Sequence, residues 1–277
     1  MPLIIVPTPI GNLEDITLRG LSALRNADVI ACEDTRHTLK LLNHYDIKKP
    51  LLSCHEHNEA ERADMLMRRV ENGDNVVLVS DAGTPGLSDP GGVIIRAAIE
   101  RGLPYDVLPG ANALLPALLL SGMEMESFLF VGFLKGKREE KKTRLKSLCG
   151  QKEVLVFYMS PHKIINELEL MGEILGDRKA VLVREISKIH QETVTGTLNT
   201  FKDILPEEKI RGEFVCVVSG SDESDSVDDS VWMEEAEKMT LCGESTKNVA
   251  NLLSIKYCIP RNRIKRYILE NCTGEVK

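Results

Sequence analysis

Residues 79–91 read VSDAGTPGLSDPG and continue the apolar run that begins at Val76. A short apolar run of this kind predicts a buried strand, and the strand must end at Asp81, where turn-forming residues begin. Five of the eleven residues 81–91 are glycine or proline. A simple chain reversal needs fewer of them. We therefore predict that this loop has a function beyond reversing the chain.

The first 120 residues alternate short apolar runs with amphipathic helical patterns. Such alternation is typical of βαβ units, in which a mainly parallel sheet carries helices on both faces. It predicts an N-terminal α/β domain over residues 1–122. The apolar runs are LIIV at 3–6, DVIAC at 28–32, LLSC at 51–54, NVVLVS at 75–80 and YDVL at 105–108.

The pattern changes near residue 123. Helices are mixed there with strands that can pair in both directions, which predicts a second, mixed α/β domain over residues 123–221. The acidic, serine-containing segment after Gly220 has the composition of a linker, and two or three short amphipathic helices follow from Ser230. The predicted fold class is thus α/β with two domains and a small helical module within residues 222–277.

The composition indicates a soluble cytoplasmic protein. Of 277 residues, 43% are hydrophobic and 28% are charged, and no apolar run approaches the length of a membrane span. The N-terminus has no basic region ahead of its apolar residues, so we expect no signal peptide and no membrane partner. The seven cysteines are scattered singly. This spacing favours reduced thiols over disulfides or a zinc site.

Charge is distributed unevenly along the chain. The formal net charge is −7, but residues 222–237 hold eight acids and no Lys or Arg. Residues 135–146 carry seven bases against two acids, and residues 259–268 carry four bases and no acid. Two basic stretches favour an anionic partner such as RNA, whereas either one alone would be read as a solvated helix face.

Five polar or glycine-containing loops follow the five predicted strands of the first domain. Each has a local explanation; Asp34, for example, can cap the helix that follows it. In a parallel sheet, however, the carboxyl ends of the strands form the usual ligand site. We refer to the five loops together as the rim and predict that it binds a ligand. They are residues 7–12, 32–37, 53–59, 81–92 and 109–113.

The ligand of the rim is not predicted to be a dinucleotide or a nucleoside triphosphate. The sequence contains neither GxGxxG nor GxxxxGK[ST], the motifs that supply converging N–H groups to phosphates. Glycine and proline let the backbone approach a ligand closely, and carboxylates suit a cation or a sugar hydroxyl. S-adenosylmethionine fits this chemistry, since it carries a sulfonium charge and no phosphate.

Five rim motifs together resemble the tetrapyrrole methylase superfamily, and within it the members that methylate small-subunit ribosomal RNA. The resemblance implies a two-domain α/β fold that is usually dimeric and binds S-adenosylmethionine between its domains. It also implies 2′-O-methylation of a cytidine ribose in the decoding region of 16S ribosomal RNA. The motifs are PTPIGNLEDITLR at 7–19, CEDTR at 32–36, SCHEHNE at 53–59, VSDAGTPGLSDPG at 79–91 and PGANA at 109–113.

The resemblance also implies which residues contact the cofactor. In the first domain these are Pro9, Ile10, Gly11, Asp81, Ala82, Gly83, Thr84, Pro85, Ala111, Asn112 and Ala113. In the second domain they are Phe157, Tyr158, Gly212 and Glu213. Met159 departs from the pattern, because relatives often have a glutamate there, and any role for a carboxylate at this position lapses.

Methylation of a 2′-hydroxyl needs a proton acceptor held in line with the methyl group. The predicted catalytic residues are Glu33, Asp34, Arg36 and His55, with Arg36 placed to hold a phosphate. Glu56, Asp81 and solvent remain open as alternative acceptors. His55 and His57 could mimic a metal site, but methyl transfer from a sulfonium needs no metal, and none is predicted.

Two other functions remain open at this point. A methylase of small tetrapyrrole rings would share the fold, although it has no need of basic stretches. A non-catalytic RNA- or ribosome-binding protein with a vestigial pocket would share the charge pattern. The helical C-terminal module is predicted to position RNA, with Ile255, Ile259, Ile264 and Ile268 forming its apolar stripe.

Overall fold

A computed structural model describes residues 2–221, 229–257, 259 and 261–272. The chain forms two compact units, one of Met1–Leu120 with Arg184–Glu192 and the other of Ser121–Val183 with Thr193–Lys277. The first boundary is close to the predicted residue 122. Residues 184–192, which the sequence boundaries assign to the second domain, instead pack with the first unit, and we call them the return segment.

The first unit contains a five-stranded sheet in the order β3-β2-β4-β1-β5. All four strand pairs are parallel, as the alternation of patterns predicts. The carboxyl ends of the strands therefore share one edge of the sheet. The strands are β1 Leu3–Ile5, β2 Val29–Cys32, β3 Leu51–Ser53, β4 Val76–Leu78 and β5 Tyr105–Val107.

Helices cover both faces of this sheet because alternate strand residues point to opposite sides. Leu3 and Ile5 pack in a core with residues of α3 and α4. Ile30 and Val77 pack in a second core with residues of α1 and α2. The helices are α1 Leu18–Asn26, α2 Thr35–His44, α3 Glu59–Glu71, α4 Gly92–Glu100 and α5 Leu114–Ser121.

The second unit contains a mixed sheet in the order β6-β7-β10-β8-β9. Strand β7 pairs in parallel with β6 and antiparallel with β10, as predicted for a mixed α/β unit. Its core includes the fully buried Phe157 and Phe201. The elements are β6 Phe128–Phe133, α6 Arg138–Lys146, β7 Val154–Met159, α7 Ile164–Leu175, β8 Lys179–Arg184, β9 Glu192–Thr197, α8 Phe201–Ile204 and β10 Phe214–Val218.

Three C-terminal helices, α9 Asp229–Leu241, α10 Thr246–Tyr257 and α11 Arg261–Asn271, form what we call the helical module. They share an apolar core around the fully buried Trp232. Ile259, Ile264 and Ile268 lie in this core, as the predicted stripe requires, while the side chain of Ile255 lies outside the described part of the chain. No helix in the described ranges is both long and apolar enough to cross a membrane.

Candidate functional site

Three rim loops are joined directly by hydrogen bonds. Thr8 and Gly83 exchange both backbone hydrogen bonds at 2.9 Å, which joins the loop after β1 to the loop after β4. The Thr84 hydroxyl donates to the carbonyl of Ala111 at 3.2 Å, which adds the loop after β5. The predicted convergence of these loops at one edge of the sheet is confirmed.

The other two loops are tied to the same edge. The Asp34 N–H donates to Asp81 Oδ1 at 3.0 Å, across the neighbouring strands β2 and β4. The Cys54 N–H donates to the carbonyl of Cys32 at 2.7 Å, which joins the loop after β3. Asp81 therefore has a structural partner inside the rim, in addition to any contact with a ligand.

A cavity of 710 Å³ lies within the first unit. This volume falls in the usual range for small-molecule sites. Three predicted cofactor residues line it, namely Ile10, Ala111 and Asn112. Gly83 lies behind this wall, where an added Cβ would be 3.5 Å from Ile10 Cγ2. The lining residues that are not among the predicted cofactor contacts are Asp15, Gly110, Leu115, Pro116, Leu119, Leu120, Ile186, Ser187 and Gln191.

The return segment forms one wall of this cavity. Its Glu185 and Ser187 have φ angles of 51° and 68°, a region that non-glycine residues rarely occupy. The Ser187 hydroxyl donates to Asp15, and its N–H donates to Gln191 Oε1 at 2.8 Å. A Cβ on Gly11 would lie 3.1 Å from the carbonyl oxygen of Ile186, so glycine permits the close approach. Backbone strain of this kind, at Glu185 and Ser187, is typical of segments that line a functional site.

Asp34 and Arg36 are already partners of one another. Asp34 is the N-cap of α2, and its Oδ1 accepts the Arg36 N–H at 2.8 Å. The Arg36 guanidinium also donates to both carboxylate oxygens, at 3.1 and 2.7 Å. These hydrogen bonds hold the pKa of Asp34 well below its usual range. Asp34 is consequently a weak proton acceptor, although its role in catalysis stays a prediction.

Glu33 lies in the opposite electrostatic environment. Burial raises the pKa of its carboxyl, and the charges of Asp81, Asp89, Asp34 and Glu56 raise it further. A carboxylate with a raised pKa holds a proton more strongly, which suits a general base. Of the two adjacent carboxylates, Glu33 is therefore the one whose surroundings favour accepting a proton.

His55 is held by Asn58. The backbone N–H of His55 donates to Asn58 Oδ1 at 2.8 Å, and the ring Nε2 lies 3.2 Å from Asn58 Nδ2. Its Nδ1 is buried and makes no hydrogen bond with the described residues. The ring of His57 is 6.0 Å away, measured between centroids. Within the same residues, no three His, Cys, Asp or Glu side chains are grouped as metal ligands.

The four predicted cofactor residues of the second unit differ in exposure. Phe157 is fully buried in the core, backbone included. Tyr158 is half-buried and meets Phe130 and Phe133 edge-on. Gly212 has a φ of 80°, and the neighbouring Glu213 is exposed. As cofactor contacts, all four stay a prediction.

Met159 packs in the same core, with an exposed fraction of 2%. An apolar side chain fits this position, because a carboxylate there would be taken out of water without a charge partner. The methionine that stands at position 159, where relatives often have glutamate, is therefore a core residue of the second unit.

Several bases of the stretch 135–146 form ion pairs within the second unit. Arg138 and Lys142 of α6 pair with Glu173 of α7 at 3.0 and 3.3 Å. Lys141 pairs with the buried Glu167. Three of its seven bases thus stabilise the second unit, and the stretch is a weaker indication of RNA binding than its composition alone.

In the helical module, Arg263 pairs with Asp229 at 2.6 Å and Lys256 pairs with Glu235 at 2.7 Å. Arg261, Lys265 and Arg266 form no ion pair with the residues that the structure describes. Arg261 and Arg266 are exposed and Lys265 is half-buried. As far as the described residues show, these three bases of α11 are available to a phosphate backbone.

Known proteins resemble this chain over most of its length. Residues 2–202 match the tetrapyrrole (corrin/porphyrin) methylases. The chain is 40% identical over 271 residues to ribosomal RNA small subunit methyltransferase I of Haemophilus influenzae, which covers 96% of this chain and 95% of that protein. It is 43% identical over 221 residues to the protein of the same name from Thermotoga maritima, covering 79% of this chain and 99% of that relative.

Solved structures share the fold at lower identity. The methyltransferase CobJ aligns with a TM-score of 0.62 and 19% identity, over 79% of this chain and 94% of that one. Uroporphyrin-III C-methyltransferase of Thermus thermophilus, complexed with S-adenosylhomocysteine, aligns with a TM-score of 0.56 and 18% identity, over 79% and 97%. The chain therefore belongs to the tetrapyrrole methylase family, is a methyltransferase, and groups within that family with the proteins named ribosomal RNA small subunit methyltransferase I.

Proposed function

We propose that this methyltransferase transfers a methyl group from S-adenosylmethionine to the ribose 2′-hydroxyl of a cytidine in the decoding region of 16S ribosomal RNA. The observation that carries the proposal is the alignment at 40% identity over 96% of the chain with a relative named for ribosomal RNA methylation. The rim loops of this chain converge beside one cavity, which supports a single ligand site.

S-adenosylmethionine is the proposed cofactor, and the cavity suits it in two ways. Ile10 and Leu115 give it apolar wall area for an adenosine, and Asp15 contributes a carboxylate to the lining. A structural neighbour holds S-adenosylhomocysteine, the demethylated product of the same cofactor. When bound, S-adenosylmethionine would supply an electrophilic methyl group on a sulfonium.

Glu33 is the proposed proton acceptor. It lies at the carboxyl end of β2, beside the cofactor-loop residue Asp81. In the proposed reaction its carboxylate takes the proton of the 2′-hydroxyl as the ribose oxygen bonds to the methyl carbon, and the sulfur keeps the electron pair of the broken bond. Asp34 and Arg36 bind each other, so we assign them to fixing the start of α2 beside Glu33.

The proposed partner is 16S ribosomal RNA within the small subunit, contacted by Arg261, Lys265 and Arg266 of the helical module. We also propose a homodimer. Helix α5 is apolar around its whole circumference, and such helices are normally buried. Its Leu115 and Leu119, which also line the cavity, are nevertheless 50% and 81% exposed, so a second copy of the chain would cover the part of this apolar face that the cofactor leaves open.

The test is a methyl-transfer assay with three arms. The purified protein is incubated with labelled S-adenosylmethionine and either immature small subunits, naked 16S RNA or a tetrapyrrole precursor. The proposal expects label in RNA and none in the tetrapyrrole. Label in the tetrapyrrole alone supports the small-molecule alternative, and label in none of the three substrates contradicts both substrate assignments.

A further inference from the structure

Glu59 is a buried carboxylate that no part of the proposed reaction uses. It is the first residue of α3 and has an exposed fraction of 7%. Its Oε1 accepts the backbone N–H of Gly91 at 2.7 Å and that of Val93 at 2.9 Å. The loop after β3 therefore binds the end of the loop after β4 through this one oxygen.

These two hydrogen bonds replace a missing helix cap. The N-cap of α4 is Gly91, which has no side chain to accept from the first turn. Unpaired N–H groups at a buried helix start are costly, and a carboxylate there also interacts favourably with the helix dipole. Glu59 supplies from another helix the acceptor that Gly91 lacks.

The loop that Glu59 anchors has two halves with different attachments. Residues 80–84 are fixed by the Thr8–Gly83 pair and by the bond from Thr84 to Ala111. Residues 85–91 form a tight closure, in which the Gly86 N–H donates to the carbonyl of Pro90 at 3.1 Å. A Cβ on Gly91 would lie only 3.0 Å from the Gly86 nitrogen, so this closure depends on glycine. Glu59 binds this tight turn at its C-terminal end, through the N–H groups of Gly91 and Val93.

The second half of the loop presents exposed side chains outside the cavity lining. Leu87 and Asp89 are exposed, and neither they nor their neighbours line the cavity of the first unit. Asp89 is one of the carboxylates whose charge acts on Glu33. Residues 85–91 are thus outside the cavity lining and near enough to Glu33 for the charge of Asp89 to act on it.

We propose that Glu59 is a positioning residue, whose buried carboxylate holds residues 85–91 in the conformation that receives the RNA ribose beside Glu33. The identity of the substrate in this inference rests on the proposed function. The anchoring of residues 85–91 by Glu59 rests only on the two observed hydrogen bonds. It separates the loop into a half that serves the cofactor cavity and a half that serves the substrate.

The test compares full-length wild-type protein with Glu59→Ala and Glu59→Gln. Alanine removes the acceptor, whereas glutamine keeps an amide oxygen that can accept both N–H groups. The matched control is Glu167→Ala, which removes an equally buried carboxylate from α7 in the second unit. Each protein is measured by amide hydrogen exchange, by calorimetric titration with S-adenosylhomocysteine, and by methyl transfer to small subunits below its unfolding temperature.

We expect Glu59→Ala to speed exchange in residues 86–93 at least tenfold, since a lost buried hydrogen bond is typically worth about a factor of ten. Methyl transfer should fall about tenfold through KM for RNA or kcat, with cofactor affinity within about twofold of wild type. Glu59→Gln should restore both quantities, and Glu167→Ala should change neither.

Unchanged exchange in Glu59→Ala overturns the anchoring. Faster exchange with unchanged methyl transfer overturns the positioning role, because Glu59 is then only a helix cap. A loss of cofactor affinity as large as the loss of turnover overturns the assignment to the substrate side. If wild-type protein transfers no methyl group, the proposed function fails, and the exchange measurement still decides the anchoring.

Discussion

At the scale of single residues, adjacent carboxylates of the rim have opposite electrostatic environments. Asp34 caps α2 and pairs with Arg36, which lowers its pKa. Glu33 is partly buried among like charges, which raises its pKa. Since a general base works best with a pKa near the operating pH, the two carboxylates cannot serve equally well.

Replacing Glu33 by glutamine should slow methyl transfer while cofactor affinity stays unchanged. A positioned general base contributes about a hundredfold or more, so kcat should fall by roughly that factor. Single-turnover kinetics on small subunits and titration with S-adenosylhomocysteine measure the two effects. Asp34→Asn is the matched comparison and should reduce kcat less; equal losses would contradict the assignment of Glu33.

The dependence of kcat on pH should report the same carboxyl. Its pKa is raised above the ordinary 4.5 of glutamate, and only the ionised form accepts a proton. Turnover should therefore be full above the raised pKa and fall as the pH decreases through it. A rate profile measured in wild type and in Glu33→Gln checks this, and the acidic limb should be absent from the variant.

The same shift predicts a stability effect of opposite sign. A carboxyl with a raised pKa in the folded state binds its proton more tightly than in the unfolded chain, so ionisation costs stability above that pKa. Glu33→Gln should accordingly unfold at an equal or higher temperature than wild type at neutral pH. A clear drop in the unfolding temperature would mean that Glu33 is a structural acceptor.

The sequence could bring Glu33 and Asp34 to the rim but could not rank them. Both follow the same strand, and both lie near Arg36 in the chain. Their ranking as proton acceptors depends on which of the two carboxylates the Arg36 guanidinium binds. This in turn depends on the direction in which α2 starts. Local side-chain geometry of this kind is not encoded in hydrophobic periodicity.

At the scale of elements, Asp81 ties the loops after β2 and β4 together. Asp81→Ala removes the acceptor for the Asp34 N–H and should weaken cofactor binding about tenfold or more. Asp81→Asn keeps an oxygen acceptor and loses only the charge. Calorimetric titration of both variants with S-adenosylhomocysteine separates the effect of the hydrogen bond to Asp34 on cofactor affinity from the effect of the negative charge. Unchanged affinity in Asp81→Ala would contradict a role of Asp81 in cofactor binding.

Gly110 is a second position where loops of the cavity meet. A Cβ added there would lie 2.7 Å from Pro7 Cβ, and the proline ring cannot turn away. Gly110→Ala should therefore spread the cavity wall and lower cofactor affinity. The control is Gly172→Ala in the second unit, where an added Cβ would crowd the Asn199 side chain and cost stability. Equal affinities in both variants would show that the cavity of the first unit is not the cofactor site.

The elements themselves were predictable, whereas the return segment was not. Apolar runs and helical periodicity predict β1 to β5 and the helices between them, because burial on both faces of a parallel sheet leaves a strong pattern. The return segment reaches the cavity through contacts such as Ser187 with Asp15, which are 172 residues apart in the chain. Contacts at this separation leave no local signal.

At the scale of the whole molecule, the helical module is an addition to the methylase fold. The family match ends at residue 202, and a 43% identical relative aligns over 99% of its own length with only 221 residues. The module also has its own core around Trp232. We therefore expect that the module can be removed without disturbing the rim.

Deleting residues 222–277 should leave folding and cofactor affinity intact and weaken binding to the small subunit. The deletion would remove three bases of α11 that form no ion pair with the described residues, so the affinity for RNA should also depend less steeply on salt. Filter binding at several salt concentrations measures both quantities. Aggregation of the truncated protein, or an unchanged affinity at every salt concentration, would refute the RNA-positioning role.

The most direct measurement of the central claim is the chemical position of the transferred methyl group. Small subunits labelled by the wild-type protein are digested to nucleosides and analysed by mass spectrometry. The account predicts a single 2′-O-methylcytidine, located in the decoding region and strongly reduced at the same reaction time when Glu33→Gln replaces wild type. A methyl group on a base, on another nucleoside, or on no RNA at all would contradict it.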